Sequence, residues 1–268
     1  MNRRTILWIP GEVSEGVSRE PTPRHPDGLI GRRGGRGRAG PRLRPARAPH
    51  RPGAFRGGVR GGEGVNARLH RCGEHAVLVE LDRLEEVVAL YDALAAGPPR
   101  GVVDIVPAAR TLLVRFEPPA RHAEVESAVL AVRPAGGRRT TTEEVVIPVE
   151  YDGDDLADVA RLTGLTEREV VAAHTGTPWT VAFCGFAPGF GYLIGGDSRL
   201  AVPRRPESRV RVPPGAVGLA GEFSGVYPRE SPGGWQLIGR TGTVVWDTAA
   251  DPPALLRPGI RVRFAEAL

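Results

Sequence analysis

The sequence predicts an α+β protein with a disordered extension over residues 1–65, a small α/β domain over residues 66–150, and a helical connector leading into a β-barrel or sandwich over residues 151–268. Three observations predict this class. The extension is rich in Arg, Gly and Pro with almost no apolar spacing, so it cannot bury enough surface to offset its ordering entropy. Two segments with helical apolar spacing then alternate with short strand-like runs. From Thr180 on, short β-branched and aromatic runs are separated by glycine and proline turns.

Charge separates the extension from the rest of the chain. Residues 1–65 hold 14 arginines and 5 acidic residues, a net charge of +9, so the +5 of the whole chain leaves −4 for residues 66–268. We therefore expect no nucleic-acid binding by the folded body. Two interpretations of the extension stay open. It could be an arginine- and glycine-rich tail that binds nucleic acid, or a segment translated upstream of a native start near Val65 or Asn66. We favour the second, because regular patterning begins abruptly at Asn66.

The two cysteines, Cys72 and Cys184, are too few for a disulfide framework and lack the spacing of metal ligands. We expect a reducing cytoplasm and no metal. No apolar run approaches the roughly 18 residues of a membrane span. Cys184 has no obvious activating base in the sequence, so we expect a small buried residue rather than a nucleophile.

The α/β domain is predicted from strands and helices that interleave. Glycine and proline clusters end both helices. Two helices among several strands are typical of a small sandwich, and we expect a ferredoxin-like arrangement. The predicted helices cover residues 84–95 and 120–132, and the predicted strands cover residues 67–72, 76–81, 102–106, 111–116 and 145–149.

Two capped helices are predicted to connect this domain to the strand-rich region. Asp154 and Asp155 precede the first, and Thr166 with Glu169 forms a capping-box pattern for the second, which ends at His174. Six or more short strands then indicate a closed barrel or sandwich. They are expected at residues 180–183, 209–212, 217–220, 235–239, 244–247 and 261–264.

No self-contained catalytic motif occurs in the chain: it lacks HExxH, GxSxG, a P-loop and paired CxxC. The glycines of residues 185–190 lack the strand-to-helix context of a dinucleotide-binding fingerprint. His174 permits two interpretations. It could exchange a proton at the mouth of the barrel, or it could be a helix-terminal histidine that interacts with the helix dipole.

Arginines and aromatic residues are the remaining candidates. Strand alternation predicts that Arg209 and Arg211 project from one face and that Val210 and Val212 project from the other. With Arg204 and Arg205, these arginines could bind a carboxylate, carboxyphosphate or phosphate through the guanidinium fork. Alternatively, they could form a solvated face or make salt bridges to another subunit. The aromatic residues could line an apolar pocket or fill the barrel core. They are Phe186, Phe190, Tyr192, Tyr227 and Trp235.

Three motifs in order carry a resemblance to a known family. They are CGFAPGFGYL at residues 184–193, PRRPESRVRVPPGAVGLAG at residues 203–221 and YPRESPGGWQLIGRT at residues 227–241. The segments GEHAVLVEL and VPAARTLLVRFEP, nearer the N-terminus, add to this resemblance. From Ala67 to its C-terminus, the chain resembles the B subunit of prokaryotic ATP-dependent 5-oxoprolinase. That family is also known as allophanate hydrolase subunit 1, or as an inhibitor of a sporulation histidine kinase. Residues 1–65 have no counterpart in it, and Gly191 stands where the family often has proline.

The resemblance implies an architecture and partners. It implies a C-terminal cyclophilin-like β-barrel, similar to the carboxyltransferase part of urea carboxylase, and pairing with the homologous C subunit of the enzyme and with its A subunit. The complex would open 5-oxo-L-proline to L-glutamate with ATP hydrolysis, and the chain alone would be inactive. Which subunit holds ATP stays open. Alternatives are a module that inhibits a sensor histidine kinase, ranked second, and a carboxyltransferase role in urea or allophanate metabolism.

The resemblance also implies the site residues, carried over by motif. The catalytic candidates are His174, Arg204, Arg209 and Arg240, whose guanidinium groups would stabilise phosphoryl charge. The substrate-binding candidates come from all three motifs: Gly185, Phe186, Pro188, Gly189, Phe190, Tyr192, Pro213, Gly215, Tyr227, Pro232, Gly233, Gly234 and Trp235.

Overall fold

Residues 66–134 and 143–267 are described by a computed structural model, which arranges them around two large β-sheets. The predicted disordered extension, residues 1–65, lies outside the described residues. None of the helices within the described ranges is long and apolar enough to cross a membrane.

The first sheet contains four antiparallel strands in the order β1-β2-β4-β3. Buried residues alternate along β2 and β4, while those of the first helix recur at helical spacing, so both patterns place their apolar side chains in one core. The predicted strands and helices of this region are confirmed, with small changes at their ends. The elements are β1 (Arg68–Arg71), β2 (Ala76–Glu80), α1 (Leu84–Ala96), β3 (Val102–Pro107), β4 (Thr111–Phe116) and α2 (His122–Ala131).

The ferredoxin-like arrangement is not confirmed. That motif follows the order βαββαβ, whereas the chain here runs ββαββα before it leaves the first sheet. The next strand, β5 (Glu144–Val149), falls within the predicted α/β domain. It pairs instead in the second sheet, parallel to β13 (Arg261–Glu266).

The second sheet contains seven strands in the order β12-β9-β10-β7-β6-β13-β5. Helices α3 (Leu156–Thr163) and α4 (Glu167–Gly176) pack against its apolar interior, and the predicted capping box of α4 is confirmed by a 3.3 Å bond from the Glu169 N–H to Thr166 Oγ1. The remaining strands of this sheet are β6 (Trp179–Cys184), β7 (Gly191–Ile194), β9 (Ala216–Ala220), β10 (Phe223–Val226) and β12 (Gln236–Arg240).

The two outer strands of the second sheet are joined by the segment that follows β5. Glu150 and Arg240 exchange backbone hydrogen bonds of 2.8 and 2.9 Å, and the Asp155 N–H donates to the Leu237 carbonyl at 2.9 Å. A Cβ at Gly153 would lie 2.4 Å from the Leu237 carbonyl oxygen, so only glycine permits this approach. We call residues 150–155 with β12 the barrel seam. It leaves the sheet nearly closed, as the barrel prediction requires.

One predicted strand is wrong and three were missed. Residues 244–247 make a single bridge, Trp246 with Ala254, because this segment follows a loop instead of a neighbouring strand. The missed strands are β7, β10 and β11 (Ser231–Gly233), which are short and contain glycine. Strand β11 pairs with β8 (Arg209–Val212) in a two-stranded ribbon separate from the large sheets.

Candidate functional site

An aromatic cluster forms the centre of the candidate site. The rings of Phe190, Tyr227 and Trp235 are buried and meet edge to face, and the ring of Phe190 lies 5.3 Å from each of the other two. Tyr192 places its ring 5.1 Å from Phe190. Phe186 is 43% exposed, with its ring 5.4 Å from Phe190. We call these five residues the aromatic platform. It is a packed cluster rather than an open pocket, and Phe186 presents its ring to solvent.

The loop between β6 and β7 holds Phe186 at the surface. Gly185 donates its N–H to the Phe190 carbonyl at 3.0 Å, and the Phe190 N–H donates to the Ala187 carbonyl at 3.0 Å, so the loop is closed on itself. Phe186 has a φ of +65°, a conformation that a bulky residue rarely adopts. Pro188 is exposed on the same loop. This local strain accompanies the one platform ring that faces outward.

The glycines beside the platform are required by close packing. A Cβ at Gly189 would lie 2.6 Å from the Cβ of Trp246, and a Cβ at Gly233 would lie 2.5 Å from the Tyr227 hydroxyl oxygen. Gly234 is also buried beside the platform. Since their open sides already contact protein atoms and the 185–190 loop leads into a strand, these glycines do not form a phosphate-binding loop.

Residues of the second and third motifs form the turn next to the platform. Gly215 has a φ of +80°, donates its N–H to the Tyr227 carbonyl at 2.7 Å and accepts from the Thr241 N–H at 2.8 Å. Pro213 follows β8 and Pro232 lies in β11, and both are exposed. The turn therefore fixes the base of the β8–β11 ribbon to the platform.

A buried carboxylate joins two of the arginines. Asp155 Oδ1 accepts hydrogen bonds from Arg205 Nη1 and from Arg209 Nη2, the latter at 2.8 Å, and Oδ2 accepts from the Leu237 N–H at 2.7 Å. Burial would raise the pKa of Asp155, but the bonds from Arg209 and Leu237 and the two guanidinium charges lower it below its usual range. We call Asp155, Arg205 and Arg209 the Asp155 triad.

Strand alternation does not describe the environments of the two arginines in β8. Arg209 is 18% exposed and binds Asp155, whereas Arg211 is 75% exposed and pairs with Glu230 at 2.5 Å. Val210 is 91% exposed and Val212 is fully buried. The pairing of β8 with β11 shifts register along the ribbon, and such a shift interrupts the regular alternation of faces.

Arg204 lies beside the platform, in the loop that precedes β8, and it is exposed. Burial raises the pKa of Tyr227 to about 12, and the charges of Arg204 and Arg209 oppose that rise. The chain brings Arg204 there because its neighbours are held: the Arg205 N–H donates to the Gly234 carbonyl at 2.8 Å, and Gln236 Nε2 donates to the Pro203 carbonyl at 3.2 Å.

Sequence reasoning missed Asp155 as a site residue and interpreted it as a helix cap. It occupies the N-cap position of α3, yet its side chain makes no capping bond. The sequence offered one indication of this pairing: Asp155 belongs to a run of two aspartates upstream of an arginine-rich motif. Buried carboxylates commonly pair with arginine. Arg205 belongs to the predicted arginine group but not to the predicted catalytic residues.

His174 lies inside the barrel and not at its mouth. It is fully buried, with Nδ1 2.7 Å from the Tyr151 hydroxyl oxygen and Nε2 2.9 Å from Ser224 Oγ, and its ring stacks on Phe264 at 4.2 Å. Burial lowers the pKa of His174 to about 3, so the ring is neutral at physiological pH. Its predicted role in catalysis stays a prediction.

Arg240 is placed at the barrel seam. Its guanidinium pairs with Glu150 at 2.6 Å and with Asp152 at 3.0 Å, and its side chain is largely exposed. Both partners belong to the seam and neither belongs to the platform or the Asp155 triad. Arg240 and Arg209 therefore pair with different carboxylates of the seam.

Cys184 behaves as a partly buried thiol. Its Sγ donates to the Leu256 carbonyl at 3.3 Å, and burial raises its pKa to about 12. A thiol with so high a pKa is a poor nucleophile at neutral pH. In the part of the chain that the structure describes, no three His, Cys, Asp or Glu side chains are grouped to hold a metal ion.

Known proteins match most of the described part of the chain. A family model, the carboxyltransferase domain, subdomain C and D, matches residues 67–256. The B subunit of 5-oxoprolinase from Escherichia coli O157:H7 is 38% identical over 209 residues, which cover 74% of this chain and 95% of that protein.

Solved structures share the architecture. The crystal structure of TTHA0988 matches with a TM-score of 0.61 and 36% identity, over 72% of this chain and 40% of that one, so the chain spans less than half of that protein. Urea carboxylase of Kluyveromyces lactis matches with a TM-score of 0.57 and 18% identity, over 75% of this chain and 22% of that one, a likeness of fold alone.

Proposed function

The chain belongs to the family of 5-oxoprolinase B subunits, within the carboxyltransferase domain of subdomains C and D, and from this premise we propose that it acts in an ATP-dependent complex that opens 5-oxo-L-proline to L-glutamate. It is a subunit of 5-oxoprolinase, a hydrolase complex. The observation that carries the proposal is the meeting of the three motifs, which sets the aromatic platform beside Arg204 and the Asp155 triad.

The platform would bind the substrate as one wall of a shared site. The exposed ring of Phe186 offers apolar surface to the ring carbons of the lactam, and Arg204 offers charge to an anionic group. The exposed positions are Phe186, Pro188, Arg204, Pro213 and Pro232, which leaves the wall open to solvent. We propose that the homologous C subunit lies over this wall, that the A subunit makes up the rest of the complex, and that the chain alone is inactive.

ATP is the co-substrate that we propose for the complex. The described residues do not fit a phosphate-binding loop, since the glycines beside the platform contact Trp246 and Tyr227. We therefore assign no step through ATP to this chain and place nucleotide binding in a partner.

The finer architecture is also a proposal. We assign the seven-stranded sheet to the cyclophilin-like barrels, and because β5 pairs in that sheet, we propose a domain division before β5 instead of at residue 150. We place the complex in the cytoplasm, where the free thiols of Cys72 and Cys184 would stay reduced. Roles as a kinase inhibitor or in urea metabolism are not favoured, because the related proteins are 5-oxoprolinase subunits and the urea carboxylase likeness concerns fold.

Co-expression with the A and C subunits of 5-oxoprolinase tests the proposal. We expect ATP-dependent formation of glutamate from 5-oxo-L-proline by the complex and none by the chain alone. A complex that assembles without turnover would contradict the proposed reaction.

Substitution of the exposed platform ring tests the site. Phe186→Ala removes the apolar surface that we assign to the substrate, so we expect kcat/KM to fall roughly tenfold. Leu162→Ala is the matched control, because Leu162 is exposed to a similar extent on α3. Equal activity of the two variants would remove Phe186 from the site.

A further inference from the structure

Asp155 binds two guanidinium groups at the expense of capping its own helix. Its oxygens accept from Arg205, Arg209 and the Leu237 N–H, and its side chain is 2% exposed. Helix α3 therefore begins at an aspartate that makes no capping bond, although a capping side chain at this position would stabilise the helix. The side chain is thus committed to the arginines and the barrel seam.

The triad carries one more positive charge than it neutralises. One carboxylate serves two guanidinium groups, and Asp154, 3.7 Å from Arg209, is largely exposed and screened. Within the described residues, Arg205 Nε and Arg209 Nη1 are buried and have no hydrogen-bond partner. Apolar residues of similar volume often replace buried ion groups without loss of stability, so stability alone does not account for this arrangement.

The triad fixes the loop that contains Arg204. On one side of Arg204 the Pro203 carbonyl accepts from Gln236 Nε2, and on the other the Arg205 N–H donates to the Gly234 carbonyl. The guanidinium of Arg205 adds the bond to Asp155. Arg204 therefore lies on a backbone held on both sides, and its Nε would be 3.7 Å from a Cβ placed on Gly234, the residue before Trp235 of the platform.

We propose that Asp155 is a positioning residue: through Arg205 and Arg209 it holds the loop that presents Arg204 to the carboxylate of 5-oxo-L-proline. The inference rests on the proposed function. Opening the lactam leaves that carboxylate unchanged, so a residue that positions its partner contributes equally to binding of the substrate and of the transition state. Loss of Asp155 therefore raises KM for 5-oxo-L-proline and leaves kcat and KM for ATP nearly unchanged.

Steady-state kinetics of the reconstituted complex test the proposal. Asp155→Asn is expected to raise KM for 5-oxo-L-proline at least about tenfold, the usual effect of losing a charged hydrogen bond. Arg204→Gln is expected to give a similar rise, and the two substitutions together are expected to be no worse than Arg204→Gln alone. Equal KM values for Asp155→Asn and the unaltered chain, additive effects, or a change confined to kcat or to KM for ATP would overturn it.

A charge-balanced variant separates positioning from folding. Asp155→Asn with Arg205→Gln keeps the net charge of the triad, so we expect its Tm to return toward that of the unaltered chain while KM stays raised. Recovery of KM together with Tm would show a structural role only. If Asp155→Asn does not fold, this double variant and Arg204→Gln carry the test.

Glu230→Gln is the matched control. It removes the exposed partner of Arg211 on the same ribbon and should leave KM within about twofold. Failure of the unaltered complex to turn over would count against the proposed function. Turnover by that complex with KM unchanged in every triad variant would count against the positioning role alone.

Discussion

Two buried polar clusters in this molecule differ in what they leave unpaired. Inside the barrel, both ring nitrogens of His174 have hydroxyl partners, Tyr151 and Ser224, and the ring is uncharged. At the seam, the Asp155 triad is charged and retains guanidinium N–H groups without partners among the described residues. Packing and stability account for a neutral cluster in which every polar atom has a hydrogen-bond partner. Stability alone does not account for a charged cluster that is only partly satisfied, which agrees with the positioning role that we propose for the triad.

The largest expected effect on stability comes from removing the imidazole of His174 from the cluster inside the barrel. His174→Ala leaves the hydroxyls of Tyr151 and Ser224 buried without their partner and opens a cavity, so we expect a loss of about 4 kcal/mol in the free energy of unfolding. Urea denaturation of the full chain measures it. Ser224→Ala, which removes one bond, should cost about half as much. Equal losses for the two variants would contradict a paired network.

Breaking the triad should cost somewhat less. Asp155→Asn leaves two guanidinium groups without their carboxylate, and we expect a loss of about 3 kcal/mol, limited by the partial exposure of both arginines. Thermal and urea unfolding measure it. A loss below that of an exposed ion pair would show that the triad is solvated and would remove the contrast between the two clusters.

Acidification should separate the clusters by pH. The folded pKa of His174, about 3, lies below its ordinary 6.5, so its contribution to stability is present above pH 6.5 and declines as the pH falls toward 3. At pH 5 the decline amounts to about 2 kcal/mol. The Asp155 carboxyl also has a lowered pKa, but its ordinary value is 3.8, so its contribution persists at pH 5 and is lost at lower pH.

Unfolding free energies between pH 7 and pH 5 check this separation. His174→Gln keeps an amide near the position of Nε2 and does not titrate, so its stability should fall less over this range. A slope equal to that of the unaltered chain would assign the pH dependence to other groups.

The smallest expected effect lies at the exposed pair on the ribbon. Glu230→Gln should change the free energy of unfolding by less than about 1 kcal/mol, because Arg211 and Glu230 are both exposed and screened. Parallel urea titrations of Glu230→Gln and Asp155→Asn give the comparison. A large loss here would mean that the β8–β11 ribbon carries more of the stability than its exposure indicates.

Local sequence patterns predicted many of the strands and helices. The pairing of strands that lie far apart in the sequence could not be predicted from such patterns. The elements of the first sheet follow periods of two and 3.6 residues that are visible in the sequence. The partner of β5 is β13, more than a hundred residues later, and no local pattern specifies that choice. The strands β7, β10 and β11 have only three or four residues, one of them glycine, so they are too short for alternation to be visible.

The contacts of the aromatic residues were easier to predict than those of the arginines. The five platform residues were grouped from the sequence as pocket or core residues, and their rings meet in one cluster. Asp155 was misinterpreted because an aspartate before a helix looks the same whether it caps the helix or binds arginine. The alternation of Arg209 and Arg211 was overridden by the register shift of the ribbon.

The barrel seam has a consequence for the order of folding. It joins Glu150 to Arg240, 90 positions apart, and contacts between such distant residues form late because a long loop must close first. Asp155 is part of that seam and also holds Arg205 and Arg209. We therefore expect the arginine arrangement to be absent from folding intermediates and to appear with the native state. Only a chain that has completed its barrel would then hold Arg204 in the position that we propose for it.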